Sequence, residues 1–304
     1  MIRYLRHHQI DKQLWDQCID QATNGIIYAY SWYLDQICQG WDAIVDDDYT
    51  TVMPVTRGRK YLMDYIYPPF FAQQLGVFSK KIITPALCES IINAIPAAYR
   101  FVEMNLHISN QWIPEGYSKT SRTDLILNMN LDYSTLRNSF SENHIRNIKK
   151  AEKNGLTIFK SANVEDVVNM FRKNRGRYLT NLHHSDYDMF HKLAEEVSRR
   201  GMAKIWMVND KFGIPCAGAV FFESHSTGIF VFSATTGNGK ELSAMHYLID
   251  HYIREYSLEL DKLDFEGSND NDLARFYRGF GSTDYVYLQI KKNQLPLPWK
   301  WFKN

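Results

Sequence analysis

Hydrophobic and polar residues along the first half of the chain alternate in a pattern that predicts a series of short elements. DKQLWDQCIDQAT and SWYLDQICQ have the spacing of amphipathic helices. WDAIVDDDYTTVMPVTRG predicts a β-hairpin that turns at Asp46, Asp47 and Asp48, and an aromatic loop follows it. Thr84 and Pro85 then predict the start of a helix, as N-cap and first helical residue, before RFVEMNLH predicts a closing strand.

The second half of the chain repeats this order of elements. MAKIWMVNDKFGIPCAGAVFFES predicts another hairpin, which turns at Asn209 and Asp210. GIFVFSATTGNGKE predicts a strand that leads into a glycine-containing loop, LSAMHYLIDHYIREYS predicts a helix with one apolar stripe, and LDKLDFEGS predicts the closing strand. Hairpin, loop, helix and strand thus occur twice, about 160 residues apart. The pattern predicts an α+β protein of two related domains, at residues 1–130 and 131–304.

The segment between the two copies is helical and basic. From Ser134 to Lys160 it carries six Lys and Arg residues against two Glu, a net charge of +4. Asp132 or Ser134 is the expected N-cap of its first helix, and Gly155 is the expected end of the second. NVEDVVNMFRKNRGRYL and SDYDMFHKLAEEVSRRG predict two more helices. Three basic side chains of this region are candidates to hold an anionic acceptor substrate: Arg146, Lys149 and Arg175. The alternative is that they form a solvated helix face.

Composition narrows the classes of protein that fit. Hydrophobic residues make up 45% and charged residues 23% of the 304 residues, as in ordinary globular proteins, and a formal net charge of +1 gives no reason to expect DNA binding. The four cysteines are far apart and predict free thiols in a reducing compartment. The N-terminus lacks the apolar stretch of a secretory signal, so a cytoplasmic location is expected. The adjacent pairs His7–His8 and His183–His184 do not share a face, and no metal site is expected.

The loop before the second-half helix is the first candidate for chemistry. Glycines let backbone N–H groups approach a ligand closely, and N–H groups at a helix N-terminus bind phosphate, so the loop suits a pyrophosphate. The helix is expected to begin near Leu242 or Ser243. A plain connection between strand and helix is the structural alternative. The candidate ligand-binding residues are Ser233, Thr235, Thr236, Gly237, Asn238, Gly239 and Lys240.

The stretch LDFEGSNDNDLARFYRGFG is the second candidate. Strand alternation places Glu266 on the same face as Asp264, at the end of the strand, and Asn271 or Asp272 is the expected N-cap of a short helix that carries Tyr277. A partly desolvated carboxylate serves as a general base and a tyrosine as a general acid. The structural alternative is that Glu266 caps the following loop while Tyr277 packs in the core.

Two further stretches are candidates for substrate or surface contact. The loop YIYPPFFAQQLGVFS combines consecutive prolines, aromatic residues and two amides, so Tyr67, Gln73 and Gln74 are candidates for one wall of a substrate cleft. A rigid turn packed between domains is the alternative. The C-terminal LPLPWKWFKN is a candidate for at most peripheral membrane contact, against docking of the chain end by its tryptophans.

The arrangement of the second half resembles the GNAT acyltransferase fold. That family holds the pyrophosphate of acyl-CoA on a glycine-containing loop before a helix, as ATTGNGKELSAMHYLID would. A short helix of pattern A-x-x-F/L-Y-x-x-x-G-F follows, and LARFYRGFG approximates it with Gly279, Phe280 and Gly281 in a changed order. The family's tyrosine commonly protonates the departing thiolate of CoA, which implies this role for Tyr277. The family's loop would place Gln or Arg where Ala234 stands.

The predicted architecture resembles the FemAB-like and BioF2-like group. It has two GNAT-like domains, each a mixed sheet flanked by helices, and a basic helical segment joins them. MPV, IYPPFFAQQLG, RNIKKAEKNG and FEGSNDNDLARFYRGFG carry that resemblance. It implies an N-acyltransferase that uses acyl-CoA as co-substrate and an amine on a cell-envelope or sugar-type acceptor. An aminoacyl-tRNA-dependent peptidoglycan bridge transferase is the alternative enzyme. A degenerate GNAT pair that binds a ligand or partner without chemistry is the alternative from another class.

Overall fold

The computed structural model describes residues 1–60, 63–179, 182–267 and 270–296, and the chain divides into two units. The first unit comprises Met1–Thr123 and the segment from Val286 onward, and the second comprises Asp124–Tyr285. This division differs from the expected domains, residues 1–130 and 131–304. The first unit ends at Thr123, and the segment from Val286 belongs to it because the last strand pairs with a strand of that unit. From residue 297 the C-terminal LPLPWKWFKN lies outside the described residues.

Among its described residues, the first unit contains three α-helices and strands that belong to two sheets. In chain order its elements are β1 (Ile2–Leu5), α1 (Lys12–Gln21), α2 (Ser31–Ile37), β2 (Asp42–Asp46), β3 (Thr51–Val55), β4 (Arg57–Lys60), β5 (Met63–Ile66), β6 (Phe78–Ser79), α3 (Pro85–Asn93), β7 (Phe101–Asn105) and β8 (Ser118–Asn128), whose last residues belong to the second unit.

Packing in the first unit confirms the predicted hairpin and helix. β2 and β3 pair antiparallel, with β1 and β6 on their outer edges. Thr84 caps α3 by accepting a hydrogen bond from Leu87 N, which orients the helix so that Cys88, Ile91 and Ile92 are buried in the core. β1, β4 and β5 were not expected, because strands of four residues leave only a weak alternation pattern.

The second unit alternates helices and strands. In chain order its elements are α4 (Tyr133–Asn138), α5 (Glu142–Lys153), β9 (Thr157–Ser161), α6 (Glu165–Lys173), α7 (His184–Arg199), β10 (Ala203–Asn209), β11 (Pro215–Ser224), β12 (Thr227–Thr235), α8 (Gly237–Glu241), α9 (Ala244–Tyr256), β13 (Lys262–Asp264), α10 (Asn271–Arg278) and β14 (Thr283–Asn293), which continues into the first unit.

The sheet of the second unit follows the order β9, β10, β11, β12, β13 and the end of β8. Neighbours pair antiparallel except β12 and β13, which are parallel. The predicted stripe of α9 is buried against this sheet, and Tyr252 stacks on Phe221 with ring centroids 3.7 Å apart. Each large apolar side chain buried in this way contributes about 1.5–3 kcal/mol, so the stripe fixes α9 firmly over β11.

The ends of the helices of the second unit follow local sequence signals. Asp132 caps α4 by accepting a hydrogen bond from Thr135 N, so the first of the two expected caps is the one used. Ser141 caps α5, and Gly155 follows that helix with a φ of +69°. α6 ends at Lys173, earlier than expected, and a short 3₁₀ turn at Arg175–Tyr178 follows it.

Both units contain the repeated order that the sequence predicts. In the first unit, β5 pairs in parallel with β7, the strand that follows α3. In the second unit, β12 pairs in parallel with β13, the strand that follows α9. All four cysteines are unpaired and buried, as expected. Within the described residues no helix is long and apolar enough to cross a membrane, and no group of three His, Cys, Asp or Glu side chains is arranged to hold a metal ion.

Candidate active site

The parallel strands β12 and β13 separate after only three residue pairs. Thr227–Ile229 pairs with Lys262–Asp264, and β12 then continues to Thr235 without β13 beside it. The register of β12 against β11 shifts within this stretch and leaves Val231 without an opposite residue, which is a β-bulge. In the described part of the chain no strand pairs with this edge of β12 beyond Ile229. We call this edge, Phe230–Thr235, the open edge of β12; it carries backbone N–H and C=O groups for a ligand.

Glu266 lies just beyond the end of β13, in a backbone conformation that is unusual for a residue with a side chain. Its φ is +51°, in the left-handed region, and its N–H donates to Asp264 Oδ1 at 2.7 Å. The expectation that strand alternation extends to Glu266 is wrong, because β13 ends at Asp264 and the chain turns there. The turn therefore sets the position of Glu266.

Tyr277 lies on α10 and is packed between aromatic rings. It is only 6% exposed, stacks on Phe265 with centroids 4.8 Å apart, and meets Phe230 of the open edge at 6.0 Å in an edge-to-face arrangement. No hydrogen bond of its hydroxyl is found among the described residues. The helix is capped by Asp270, which accepts from the N–H groups of Asp272 and Leu273, so the expected caps Asn271 and Asp272 are wrong by one and two residues.

Electrostatics connect three of the predicted residues. Burial raises the pKa of Tyr277 well above its ordinary value, and the Glu266 carboxylate raises it further, while the Arg175 guanidinium opposes the rise. Tyr277 is therefore protonated at neutral pH, as a proton donor must be. The structure thus brings Tyr277, Glu266 and Arg175 into one neighbourhood, although Arg175 itself is exposed in the 3₁₀ turn after α6.

Asp264 and Asp124 form a buried carboxyl pair that sequence reasoning did not assign to the site. Asp264 is 5% exposed and Asp124 is fully buried, and their carboxyl groups are joined by a hydrogen bond. Burial, then Asp124 and Glu266, raise the pKa of Asp264 well above its ordinary value. The sequence offers no signal for the pair, because β8 brings Asp124 to β13 from a distant part of the chain.

The glycine-containing segment is helical in the structure. Thr236 is an N-cap whose Oγ1 accepts a hydrogen bond from Gly239 N at 3.0 Å, so a short helix that the sequence did not predict begins at Gly237. It precedes the predicted helix, α9, whose expected start near Leu242 or Ser243 is confirmed. α9 then begins after Ser243, whose φ is +62°. Gly239 is buried, and a Cβ at this position would overlap the carbonyl oxygen of Cys216 on β11. Close packing on β11 therefore requires this glycine.

The rest of the predicted pyrophosphate-binding residues surround this short helix. Gly237, Asn238 and Lys240 are exposed, whereas Ser233, Thr235 and Thr236 are half-buried. Asn238 Nδ2 donates to Asp210 Oδ2 at 3.0 Å, which ties the helix to the turn between β10 and β11. One of the three N–H groups at the start of the helix is thus used by its cap, and those of Gly237 and Asn238 have no intrahelical partner.

The predicted acceptor-binding residues divide between the units. On α5, Arg146 and Lys149 are exposed, and Arg146 Nη2 donates to Asn143 Oδ1 at 3.0 Å. Tyr67, Gln73 and Gln74 belong to the first unit.

The side chains of Tyr67 and Gln74 are engaged in hydrogen bonds within the first unit. The Tyr67 hydroxyl donates to Cys38 Sγ at 3.8 Å. Gln74 is buried, donates to Gln73 Oε1 at 2.8 Å and accepts from Ile108 N at 2.9 Å. These contacts support the rigid-turn interpretation of the loop, while a role in binding substrate stays a prediction.

Comparisons with known proteins identify the fold. No family model and no curated protein matches the chain. Among solved structures, the crystal structure of FemX has a TM-score of 0.64 at 13% identity, covering 94% of this chain and 96% of that one. A conserved protein of unknown function from Bacteroides thetaiotaomicron VPI-5482 has a TM-score of 0.65 at 10% identity, with 96% and 99% covered.

A third solved structure is a tandem GNAT protein from the clavulanic acid biosynthesis pathway. Its TM-score is 0.56 at 10% identity, and the match covers 97% of this chain and 99% of that chain. The chain has a FemAB-like tandem GNAT fold, which confirms the predicted α+β class and two GNAT-like domains. At these identities the comparisons establish the fold alone.

Proposed function

We propose that this chain is an N-acyltransferase that moves an acyl group from acyl-CoA to an amine of a cell-envelope or sugar-type acceptor. The observation that carries the proposal is the open edge of β12 with Tyr277 beside it. A strand edge binds an extended chain through main-chain hydrogen bonds, and the pantetheine arm of CoA is an extended chain with two amide groups. An arm on this edge would bring its thioester to the aromatic cluster that contains Phe230 and Tyr277.

The transfer reaction assigns a separate role to each group. The acceptor amine attacks the thioester carbonyl, a C–N bond forms and the C–S bond breaks. Glu266 accepts the proton that the amine loses, and the hydroxyl of Tyr277 protonates the departing thiolate. Backbone N–H groups at the bulge of β12 are suited to stabilise the tetrahedral oxyanion, because they are fixed in place before the reaction.

The remaining contacts to the donor and acceptor follow from charge. The N–H groups of Gly237 and Asn238, with Lys240, are the groups of the α8 segment available to the pyrophosphate. Arg175, whose charge acts on Tyr277, is the candidate for an anionic group of the acceptor.

Aminoacyl-tRNA is the second candidate donor. The observation that favours it is that the cap at Thr236 consumes Gly239 N–H, so α8 offers fewer groups to a pyrophosphate than an open glycine loop would. The exposed Arg146 and Lys149 on α5 suit a phosphodiester backbone. Under this alternative Tyr277 protonates the ribose oxygen that leaves, and the role of Glu266 is the same.

Calorimetric titration with acetyl-CoA, CoA and an aminoacyl-tRNA distinguishes the donors. We expect saturable binding of acetyl-CoA by the wild-type chain and by Glu259→Gln, a control at an exposed glutamate. Glu266→Gln should bind acetyl-CoA equally well and lose amine acylation, measured as CoA thiol release, by about 100-fold or more. Binding of tRNA alone would favour the second donor, and binding of none of the three would refute both enzymes and leave a non-catalytic pair.

A further inference from the structure

The turn at Glu266 has a strained backbone. Left-handed backbone costs free energy for any residue with a Cβ, because Cβ approaches the carbonyl oxygen. Glu266 adopts this conformation with a φ of +51°. Such strain persists only where the surroundings hold it in place, and it concentrates at functional sites.

Two hydrogen bonds hold this turn on a fixed base. Glu266 N–H donates to Asp264 Oδ1 at 2.7 Å, and Phe265 N–H donates to Leu125 O at 2.9 Å. Asp264 itself has a strand on either side, since it pairs with Ile126 on β8 and with Ile229 on β12. The carboxyl of Asp264 therefore accepts from Glu266 at a position that the sheet fixes.

A second carboxyl group fixes the first. Asp124 lies on β8, is fully buried, accepts from Leu125 N at 2.9 Å and is hydrogen-bonded to Asp264. The charged groups that act most strongly on Asp264 are Asp124 and Glu266, and both are acidic. Two carboxylates in contact cannot both be ionised in a buried place, so the pair holds one proton between them.

Such a pair opposes stability at neutral pH. The pKa of Asp264 is higher in the folded chain than in the unfolded chain, so its contribution to stability is present below pH about 4 and is lost as the pH rises. A neutral side chain of similar shape would avoid this cost. The pair of Asp124 and Asp264 destabilises the fold at neutral pH and is hydrogen-bonded to the strained turn of Glu266. Its presence is better explained by the position that it gives to Glu266.

We propose that Asp124 and Asp264 are positioning residues for Glu266: their shared proton joins them into one rigid acceptor, which holds the left-handed turn that places the Glu266 carboxylate beside Tyr277. The inference rests on the proposed function for the chemistry of Glu266. The holding of the turn is a property of the folded chain and is measurable without any substrate.

Two variants of Asp264 separate the geometry from the proton. Asp264→Asn keeps an oxygen that accepts from Glu266 N–H and adds an amide that donates to Asp124. Asp264→Ala removes the acceptor. Asp261→Asn is the matched control, because Asp261 is exposed and lies three residues earlier. Amide exchange of Glu266 is followed by NMR, and thermal unfolding is followed from pH 5 to pH 8 in the same proteins.

The expected results differ for each variant. Asp264→Ala should speed the exchange of the Glu266 amide by about 10-fold or more, while Asp264→Asn should leave it protected. Asp264→Asn should also raise the unfolding temperature at pH 8 by about 3 °C or more and flatten its pH dependence, unlike Asp261→Asn. An amide that stays protected in Asp264→Ala, or an unchanged pH dependence in Asp264→Asn, would overturn the inference.

Turnover connects the turn to catalysis. In CoA release from acetyl-CoA with an amine acceptor, Asp264→Ala should lower kcat about 100-fold with KM for acetyl-CoA within about twofold, and Asp264→Asn should restore kcat. Equal losses in both variants would contradict a positioning role. A wild-type chain that neither binds nor cleaves acetyl-CoA, yet gives the expected exchange and unfolding results, would refute the proposed donor and leave the turn-holding pair intact.

Discussion

Gly237 and Gly239 lie two residues apart in α8, and the structure predicts opposite effects for the same substitution. An alanine Cβ at position 239 would overlap the carbonyl oxygen of Cys216. That carbonyl is not free to move, since it accepts from Thr236 N at 3.0 Å and from Thr236 Oγ1 at 3.3 Å. At position 237 no heavy atom lies within 4 Å of the added Cβ, and φ is not in the left-handed region.

The magnitudes follow from these surroundings. Overpacking against a fixed backbone costs about 3 kcal/mol, and the better helix propensity of alanine returns about 1 kcal/mol, so Gly239→Ala should lose about 2 kcal/mol. For a unit of this size the unfolding temperature falls by about 4–8 °C. Gly237→Ala has no clash and should keep or gain stability, by at most about 1 kcal/mol.

Urea unfolding followed by circular dichroism measures both variants against the wild-type chain. Acetyl-CoA titration of the same samples separates packing from binding, because Gly237 contributes one of the free N–H groups of α8. Equal stability of the two variants would refute the assignment of Gly239 to packing. A Gly239→Ala chain of wild-type stability that has lost acetyl-CoA binding would show that the glycine serves a ligand instead.

Two more predictions concern titration and the proton donor. Burial lowers the pKa of His246 to about 4, so stability is complete above pH about 6.5 and about 3 kcal/mol of it is lost as the pH falls to 4. Urea unfolding at pH 7.5 and 4.5 should show this loss of stability in the wild-type chain and in the control His8→Gln, and a smaller loss in His246→Phe. An equal loss in all three proteins would contradict the assignment to His246. Tyr277→Phe should unfold within about 1 kcal/mol of the wild-type, since its hydroxyl has no partner among the described residues, while CoA release falls about 100-fold. Tyr285→Phe, at an exposed tyrosine, should leave both unchanged, and wild-type turnover in Tyr277→Phe would remove its acid role.

The local pattern of hydrophobic residues was sufficient to predict the elements whose buried side chains recur at a regular spacing. The stripe of α9 is buried as predicted, apart from the partly buried Met245, because a helix packed on a sheet repeats its apolar contacts every three to four residues. The caps at Thr84 and Asp132 were equally visible, since capping depends on neighbours in sequence. The same local signals brought Glu266 and Tyr277 forward as a pair.

Contacts between distant parts of the chain decided the features that pattern missed. The Gly237–Asn238–Gly239 run has poor helix propensity, and its helix forms because Thr236 caps it and Gly239 packs on Cys216. Five consecutive polar residues, from Ser268 to Asp272, each have a side chain that fits an N-cap, so composition alone did not select Asp270.

The carboxyl pair and the division into units have the same origin. Asp124 meets Asp264 only because β8 and β13 are neighbours in the sheet, and periodicity along one strand carries no information about its partner. The last strand joins the first unit through its pairing with β7, which no local signal predicts.

Hydrogen exchange tests whether the open edge of β12 binds the acyl donor. The wild-type chain is labelled in deuterated buffer with and without saturating acetyl-CoA, and peptides are read by mass spectrometry. We expect slower exchange in the peptide that covers Phe230–Thr235, with unchanged exchange in β9 at the far edge of the same sheet. Saturable binding of acetyl-CoA without protection of Phe230–Thr235 would contradict it.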